Sequence, residues 1–381
     1  MKIANRGRIE PFRVMAALRD ANQVARAGKD VVHLSLGQPS REIPDAVRRK
    51  IGQIALEKPL GYTESTGTSE LRQAISDQYR TQYQIHVPIK RIFITLGSSA
   101  AFLMSLIAAF DARDAIAITM PCYPAYPNMM KAFDVRPIAL SGTVHNNFQP
   151  SCEQLKALPE IPDGLVIGSP SNPTGTILDT GEMERISRYC DENGIRIISD
   201  EIYHGVTYGK TAETILRFTQ NAIVVNSFSK FYLMPGWRLG WAVVPETLTE
   251  SFELLAQSFF LSPSALAQYV GLEVMQNRAP LDAVIHEYRA NRDQLITALK
   301  HCGFQDIAPA EGAFYLYAKS TKFHTDSELF CKDMLHQAGV VAVSGKDFDT
   351  QRGHEYVRFS FAGSPADIAK ACERLRSWLM K

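Results

Sequence analysis

Ala222-Ile-Val-Val-Asn-Ser-Phe-Ser-Lys-Phe-Tyr-Leu-Met-Pro-Gly-Trp-Arg238 opens as a strand and ends as a loop carrying two cations. The run from Ala222 to Ser227 is apolar and rich in valine and isoleucine, which suits a strand covered on both faces. Lys230 follows just past that run, and Arg238 stands eight residues further on. Working outward, similar short runs at 91–96, 115–120, 135–140, 164–169, 195–200 and 238–244 join 222–227 as strand candidates. Helical patterns separate several of them, such as Gly181 to Asn193, ending at Gly194 where a C-cap is expected. Continuous apolar strands alternating with helices predict an α/β chain with a mostly parallel seven-stranded sheet flanked by helices.

In an open sheet of this kind, ligands bind outside the carboxyl ends of the strands. Four strand ends therefore matter. Gly97-Ser98-Ser99 follows Arg91 to Leu96 and opens the helical run Ala100 to Phe110. Ser169-Pro-Ser-Asn172-Pro-Thr-Gly175 follows Gly164 to Gly168, and Asp200-Glu-Ile-Tyr203 follows Ile195 to Ser199. Lys230 is the fourth. A lysine with the ordinary pKa of about 10.4 is a free amine only about once in 2,500 at pH 7, a handicap of roughly 4.6 kcal/mol. Chemistry at such an amine needs a means of sidestepping that handicap.

In order and spacing these four segments resemble the fold type I pyridoxal-phosphate enzymes, in particular the class I/II aminotransferases of the aspartate aminotransferase superfamily. The resemblance runs from about Pro11 to the C-terminus. It implies pyridoxal phosphate as cofactor, with Lys230 storing its amine as an imine and acting as a base once the substrate displaces it. Asp200 then lies beside the cofactor ring nitrogen and favours its protonated form, by on the order of 1.5–3 kcal/mol for a charge-assisted hydrogen bond. Taken alone, Asp200 equally reads as a helix N-cap after a strand.

Tyr203 and Asn172 match residues that hydrogen-bond the cofactor's phenolic oxygen, and the resemblance implies that the Asn172-Pro173 bond is cis. Gly97, Ser98 and Ser99 match a phosphate site at a helix start, where free amides and the helix dipole favour an anion. Ser227 and Arg238 match further phosphate ligands. Tyr62 resembles the tyrosine that reaches the phosphate from the neighbouring subunit, which implies a homodimer with shared active sites. Tyr123 falls where the family places a ring against the cofactor face, with Tyr126 as the alternative. Arg358 matches the arginine that grips the substrate α-carboxylate as a bidentate fork, and Gly37 a backbone contact to the same group. Such a grip sets the α-hydrogen perpendicular to the cofactor ring, facing Lys230. The implied activity moves an amino group from an L-amino acid to a 2-oxo acid by a ping-pong mechanism. A carbon-sulfur β-lyase on the same scaffold is the alternative, since Lys230, Asp200 and Arg358 would serve both.

The rest of the sequence bounds these expectations. The 381 residues are 45% hydrophobic, enough for a large core and for more than one domain. A formal net charge of +1, without a basic tract or acidic tail, argues against nucleic acid or an anionic membrane as partner. The longest apolar stretch, Ala100 to Phe110, falls short of the roughly 20 residues of a membrane span, and no apolar signal core opens the chain. Cysteines 122, 152, 190, 302, 331 and 372 show no CxxC spacing and read as reduced thiols of a cytoplasmic protein.

Residues 263–302 read as mostly helical, broken near Pro280. Short strands at Ala313 to Tyr317, Val340 to Val343 and Tyr356 to Ser360, with helices over 326–338 and 364–380, predict a smaller α+β domain. The resemblance divides the chain into a large cofactor-binding domain over 46–280 and a discontinuous small domain of 1–45 plus 281–381. A regulator's effector domain would need a DNA-binding module, and the 36 residues before Gly37 carry no helix-turn-helix pattern. Side-chain specificity is not legible. Arg13, in Pro11-Phe12-Arg13-Val14, reads either as a partner for a distal substrate carboxylate or as an outward surface arginine.

Overall fold

A computed structural model of the chain describes residues 2–380. The seven strands of the main sheet are β1 (Ile92–Thr95), β2 (Ala115–Met120), β3 (Arg136–Ser141), β4 (Gly164–Gly168), β5 (Arg196–Asp200), β6 (Ile223–Ser227) and β7 (Gly240–Val243). They lie in the order β1-β7-β6-β5-β4-β2-β3. Six of the seven run the same way, and only β7 is antiparallel to its neighbours β1 and β6. The carboxyl ends of β1, β4, β5 and β6 therefore share one edge, which the sequence required for a single crevice.

Local chemistry explains the layers. The Thr180–Asn193 helix starts at Asp179, whose carboxylate accepts the amides of Gly181 and Glu182, and ends at Gly194 in the left-handed region (φ +70°). Its buried residues, Met183, Ile186, Ser187 and Cys190, recur at helical spacing and face the sheet. The Ser98–Ala109 helix is apolar nearly all round because it lies between the sheet and the Thr249–Phe260 helix. Phe102, Met104 and Leu106 are buried there, each worth about 1.5–3 kcal/mol against exposure. No helix among the described residues is long and apolar enough to cross a membrane.

The C-terminal part carries a three-stranded antiparallel sheet, with β8 (Tyr315–Lys319), β9 (Val343–Ser344) and β10 (Tyr356–Ser360) in the order β9-β10-β8. The single strand expected over 340–343 is two. Val340–Val341 pairs in parallel with Val32–His33 of the N-terminal arm, whereas Val343–Ser344 joins β10. One apolar run thus serves two sheets. The expected break near Pro280 falls at Asn277–Arg278, because Pro280 sits in the first turn of the Ala279–Cys302 helix, where its missing N–H costs nothing. The expected strand 238–244 begins only at Gly240, since Pro235–Trp237 forms a tight turn that leaves Arg238 in the left-handed region (φ +54°).

Candidate active site

Lys230 stands in the turn after β6, with its Nζ donating to the carbonyl of Gly37 at 2.5 Å. The amine lies 5.8 Å from the ring centre of Tyr203 and 5.6 Å from that of Phe314. Burial, with the charges of Arg358 and Arg238, lowers its pKa to about 8 against the pull of Asp200. At that value about one amine in ten is free at pH 7, against about one in 2,500 for an ordinary lysine.

Asp200 ends β5 and is 8% exposed. Its Oδ2 accepts the hydroxyl of Tyr126 at 2.5 Å, and its Oδ1 accepts the amide of Ile202 at 3.1 Å. Burial raises its pKa, while Tyr126, Ile202 and Lys230 favour the charged form. The turn that follows is pinned from below. Glu201 accepts from Thr214 Oγ1 and Ile215 N, both at 3.0 Å, and His204 Nε2 lies 3.0 Å from the carbonyl of Ser169 at the end of β4. These bonds hold Asp200 and Tyr203 in place relative to the Asn172 loop.

Arg358, on β10, is 4% exposed. Its Nη1 donates to Asn172 Oδ1 at 3.0 Å and its Nη2 to the carbonyl of Ser35 at 2.6 Å, while its buried Nε has no partner among the described residues. The guanidinium lies 4.4 Å from the ring centre of Tyr315 and 4.7 Å from that of Phe348. Neither hydrogen-bond partner is a carboxylate, and among the described residues Asp347 acts on it only from beyond ion-pair distance. The Asn172-Pro173 bond is cis.

At the end of β1, Gly97 (φ +79°) precedes the Ser98–Ala109 helix, whose first turn has no side-chain cap. A methyl group on Gly97 would come within 2.5 Å of Arg238 Nη2, so the glycine leaves room for the guanidinium beside the free helix amides. Ser227 departs from the simplest expectation. Its hydroxyl is turned inward, 3.0 Å from the carbonyl of Leu239 and 2.8 Å from Ser229 Oγ. Tyr62 is 84% exposed and lies on the surface of this subunit.

Of the two candidate rings, Tyr126 is committed to Asp200 and stacks on Phe102 with centroids 4.9 Å apart. Tyr123 is partly exposed and stands edge-on to Tyr126. Arg13 is not a free cation. Its Nη1 pairs with Glu328 at 2.6 Å, and its backbone amide donates to Asp347 Oδ1 at 2.7 Å. Cys122 is buried, and burial raises its thiol to about 12, so it is an inert packing residue.

Three site residues escape the sequence: Ser35, Phe348 and Tyr315. Tyr315 Oη lies 2.9 Å from Tyr203 Oη, 112 residues earlier in the chain. A methyl group on Gly37 would stand 2.1 Å from the same hydroxyl, so glycine there is a steric requirement. In the sequence these aromatics read as core, because the contacts that distinguish them are long-range. Tyr126 is the alternative ring of the sequence, but its bond to Asp200, 74 residues away, appears only in the fold.

The chain matches the family model described as Aminotransferase class I and II over residues 29–375. It is 38% identical to the valine–pyruvate aminotransferase of Mycobacterium tuberculosis, over 99% of this chain and 98% of that protein. It is 30% identical to the aspartate aminotransferase of Bacillus subtilis, with each chain covered in full (100%). Among solved structures, an aminotransferase from Mycobacterium tuberculosis superposes with a TM-score of 0.97 at 38% identity, covering 100% of this chain and 99% of that one. The aspartate aminotransferase from Thermus thermophilus with maleate gives 0.92 at 26% identity, covering 99% of each chain.

Proposed function

This chain belongs to the class I and II aminotransferases, and from that premise we propose how its residues perform the transfer. The enzyme moves an amino group from an amino acid to a 2-oxo acid. One observation carries the assignment of roles: the charges of Arg358 and Arg238 both bear on the Lys230 amine, and Asp200 is the carboxylate that acts on it in return. Among the described residues Arg358 is buried without a carboxylate in hydrogen-bond contact, which is costly unless the ligand supplies the anion. A phosphate at Gly97–Ser99 and Arg238 and a carboxylate at Arg358 would balance that charge.

These residues fit pyridoxal phosphate, which when bound supplies the electrophilic carbon that takes up the amino group and the ring that makes the α-hydrogen acidic. Lys230 is the proton carrier. Its Nζ takes the proton from the α-carbon of the donor amino acid and delivers one to the α-carbon of the acceptor 2-oxo acid in the second, ping-pong half-reaction. Its lowered pKa matches a base that works near neutrality. Arg358 holds the α-carboxylate, with its fork steadied by Asn172 and Ser35. Gly37 steadies the Lys230 amine through its carbonyl, in addition to the carboxylate contact expected from the family.

Asp200 would hold the proton of the cofactor's ring nitrogen, and Tyr203 and Asn172 would serve its phenolic oxygen. Ser98, Ser99 and Arg238 would hold the phosphate, with Ser227 reaching it only if its hydroxyl turned away from Leu239 and Ser229, and Tyr123 would cover one ring face. Burial of Asp200, Tyr203 and Arg358 keeps water from the proton path.

The division into a large domain over 46–280 and a small domain of 1–45 plus 281–381 is part of this reading; pairing of Val32–His33 with Val340–Val341 supports it. So is a homodimer that shares its sites. Tyr62 is exposed, as are Leu56, Leu60, Phe259 and Leu261. Gln268 ties the two loops together, donating to Thr63 Oγ1 at 3.1 Å and to the Pro263 carbonyl at 3.2 Å. These apolar side chains suit burial against a second copy. Six unpaired cysteines fit a reducing, cytoplasmic setting.

The side-chain pocket suits a neutral amino acid. Phe12 lies 6.2 Å from Tyr123 by ring centres, Phe348 covers Arg358, and Arg13 is spent on Glu328. A product assay tests both parts. With pyridoxal phosphate and a 2-oxo acid supplied, valine, alanine or phenylalanine is expected to give equal amounts of new 2-oxo acid and new amino acid. The rate should exceed that with aspartate or glutamate by about tenfold, or roughly 1.4 kcal/mol. Faster turnover of the dicarboxylates contradicts the pocket. Release of pyruvate and ammonia from cystathionine without a new amino acid would indicate elimination instead.

A further inference from the structure

We propose that Tyr315 is a positioning residue that orients the Tyr203 hydroxyl, making the two phenols a relay that ends on the cofactor's phenolic oxygen. The inference rests on the roles of Lys230 and Tyr203 given above.

The proton count carries it. Each phenol has one proton to donate. Tyr203 and Tyr315 are 4% and 1% exposed, and their oxygens lie 2.9 Å apart. Neither hydroxyl has another hydrogen-bond partner among the described residues. If Tyr203 donated to Tyr315, the Tyr315 proton would be left in a buried place without an acceptor, packed against Gly37 Cα. If Tyr315 donates to Tyr203, the one proton left without a protein acceptor is that of Tyr203, which can turn into the site. A hydroxyl that accepts a hydrogen bond is also a stronger donor, because chains of such bonds polarise one another. Tyr315 therefore fixes both the direction and the strength of the Tyr203 bond.

The same side chain reaches the rest of the site. Its ring lies 4.4 Å from the Arg358 guanidinium, and its hydroxyl occupies the place that a Gly37 side chain would need. Gly37 in turn holds the Lys230 amine. Removing only the hydroxyl and removing the whole ring are thus separable perturbations.

The test is a pH titration of the visible absorbance band that pyridoxal phosphate shows when bound to Lys230. When the linkage loses its proton, charge settles on the phenolic oxygen, so a donor to that oxygen lowers the midpoint and its loss raises it. Tyr203→Phe is expected to raise the midpoint by about one pH unit, a tenfold change in the proton equilibrium. Tyr315→Phe should raise it in the same direction by about half as much, with an unchanged KM for the amino acid. The double variant should match Tyr203→Phe alone, because a relay without its last member does nothing. Tyr315→Leu, which also removes the platform beneath Arg358, should raise KM about tenfold as well.

A Tyr315→Phe midpoint equal to that of the wild type, or shifts that add in the double variant, would overturn the relay while leaving the function intact. A wild-type protein with no such band, cofactor supplied, would overturn the relay and the role of Lys230 together.

Discussion

Lys230→Ala is expected to lower kcat by about 10⁴-fold or more while the protein stays folded and keeps binding the cofactor through its phosphate, more weakly than before. A positioned general base contributes about 10²–10⁴-fold by itself, and on the proposed reading the same amine would also hold the cofactor. The fold does not depend on it. Its one hydrogen bond runs to the Gly37 carbonyl, and it stands in a turn after β6 rather than in the apolar core. Turnover measured beside a thermal melt separates the two effects. Activity within about tenfold of the wild type would place the proton carrier elsewhere.

Arg358→Leu is expected to lower kcat/KM for amino acid donors by about 10²–10⁴-fold. A bidentate fork makes two charge-assisted bonds of about 1.5–3 kcal/mol each, and every 1.36 kcal/mol is a factor of ten. The loss should fall equally on donors with different side chains, because the α-carboxylate is common to all. Arg358→Lys keeps the charge but not the planar fork, and should recover no more than about tenfold of the loss. Steady-state kinetics with two unlike donors checks this. A loss confined to one donor would move Arg358 from the α-carboxylate to the side-chain pocket.

The sheet and the polar residues at its strand ends were legible because each is written locally. β6 is an apolar run followed within three positions by Lys230, and β5 ends directly on Asp200. The direction of β7 was not legible, since an apolar strand reads alike both ways. Neither was the division of 340–343 between two sheets, which depends on Val32–His33 from the other end of the chain. At the site the hidden part is the support. Tyr126 beneath Asp200, Tyr315 behind Tyr203 and Phe348 over Arg358 look like core aromatics until the fold brings their partners to them. The two readings of Arg13 divide on Glu328, 315 residues away, and only the folded chain reveals that pair. Ser227 shows the converse: it matches a phosphate ligand in the family, yet its hydroxyl bonds inward to Leu239 and Ser229.

The most direct test of the account is to reduce the cofactor-loaded enzyme with borohydride, digest it, and map the pyridoxyl group by mass spectrometry. The account predicts a single modified site, Lys230, lost when the enzyme is first treated with an amino acid donor that carries the amino group onto the cofactor. Modification at another lysine, or none at all in protein loaded with cofactor, would contradict it.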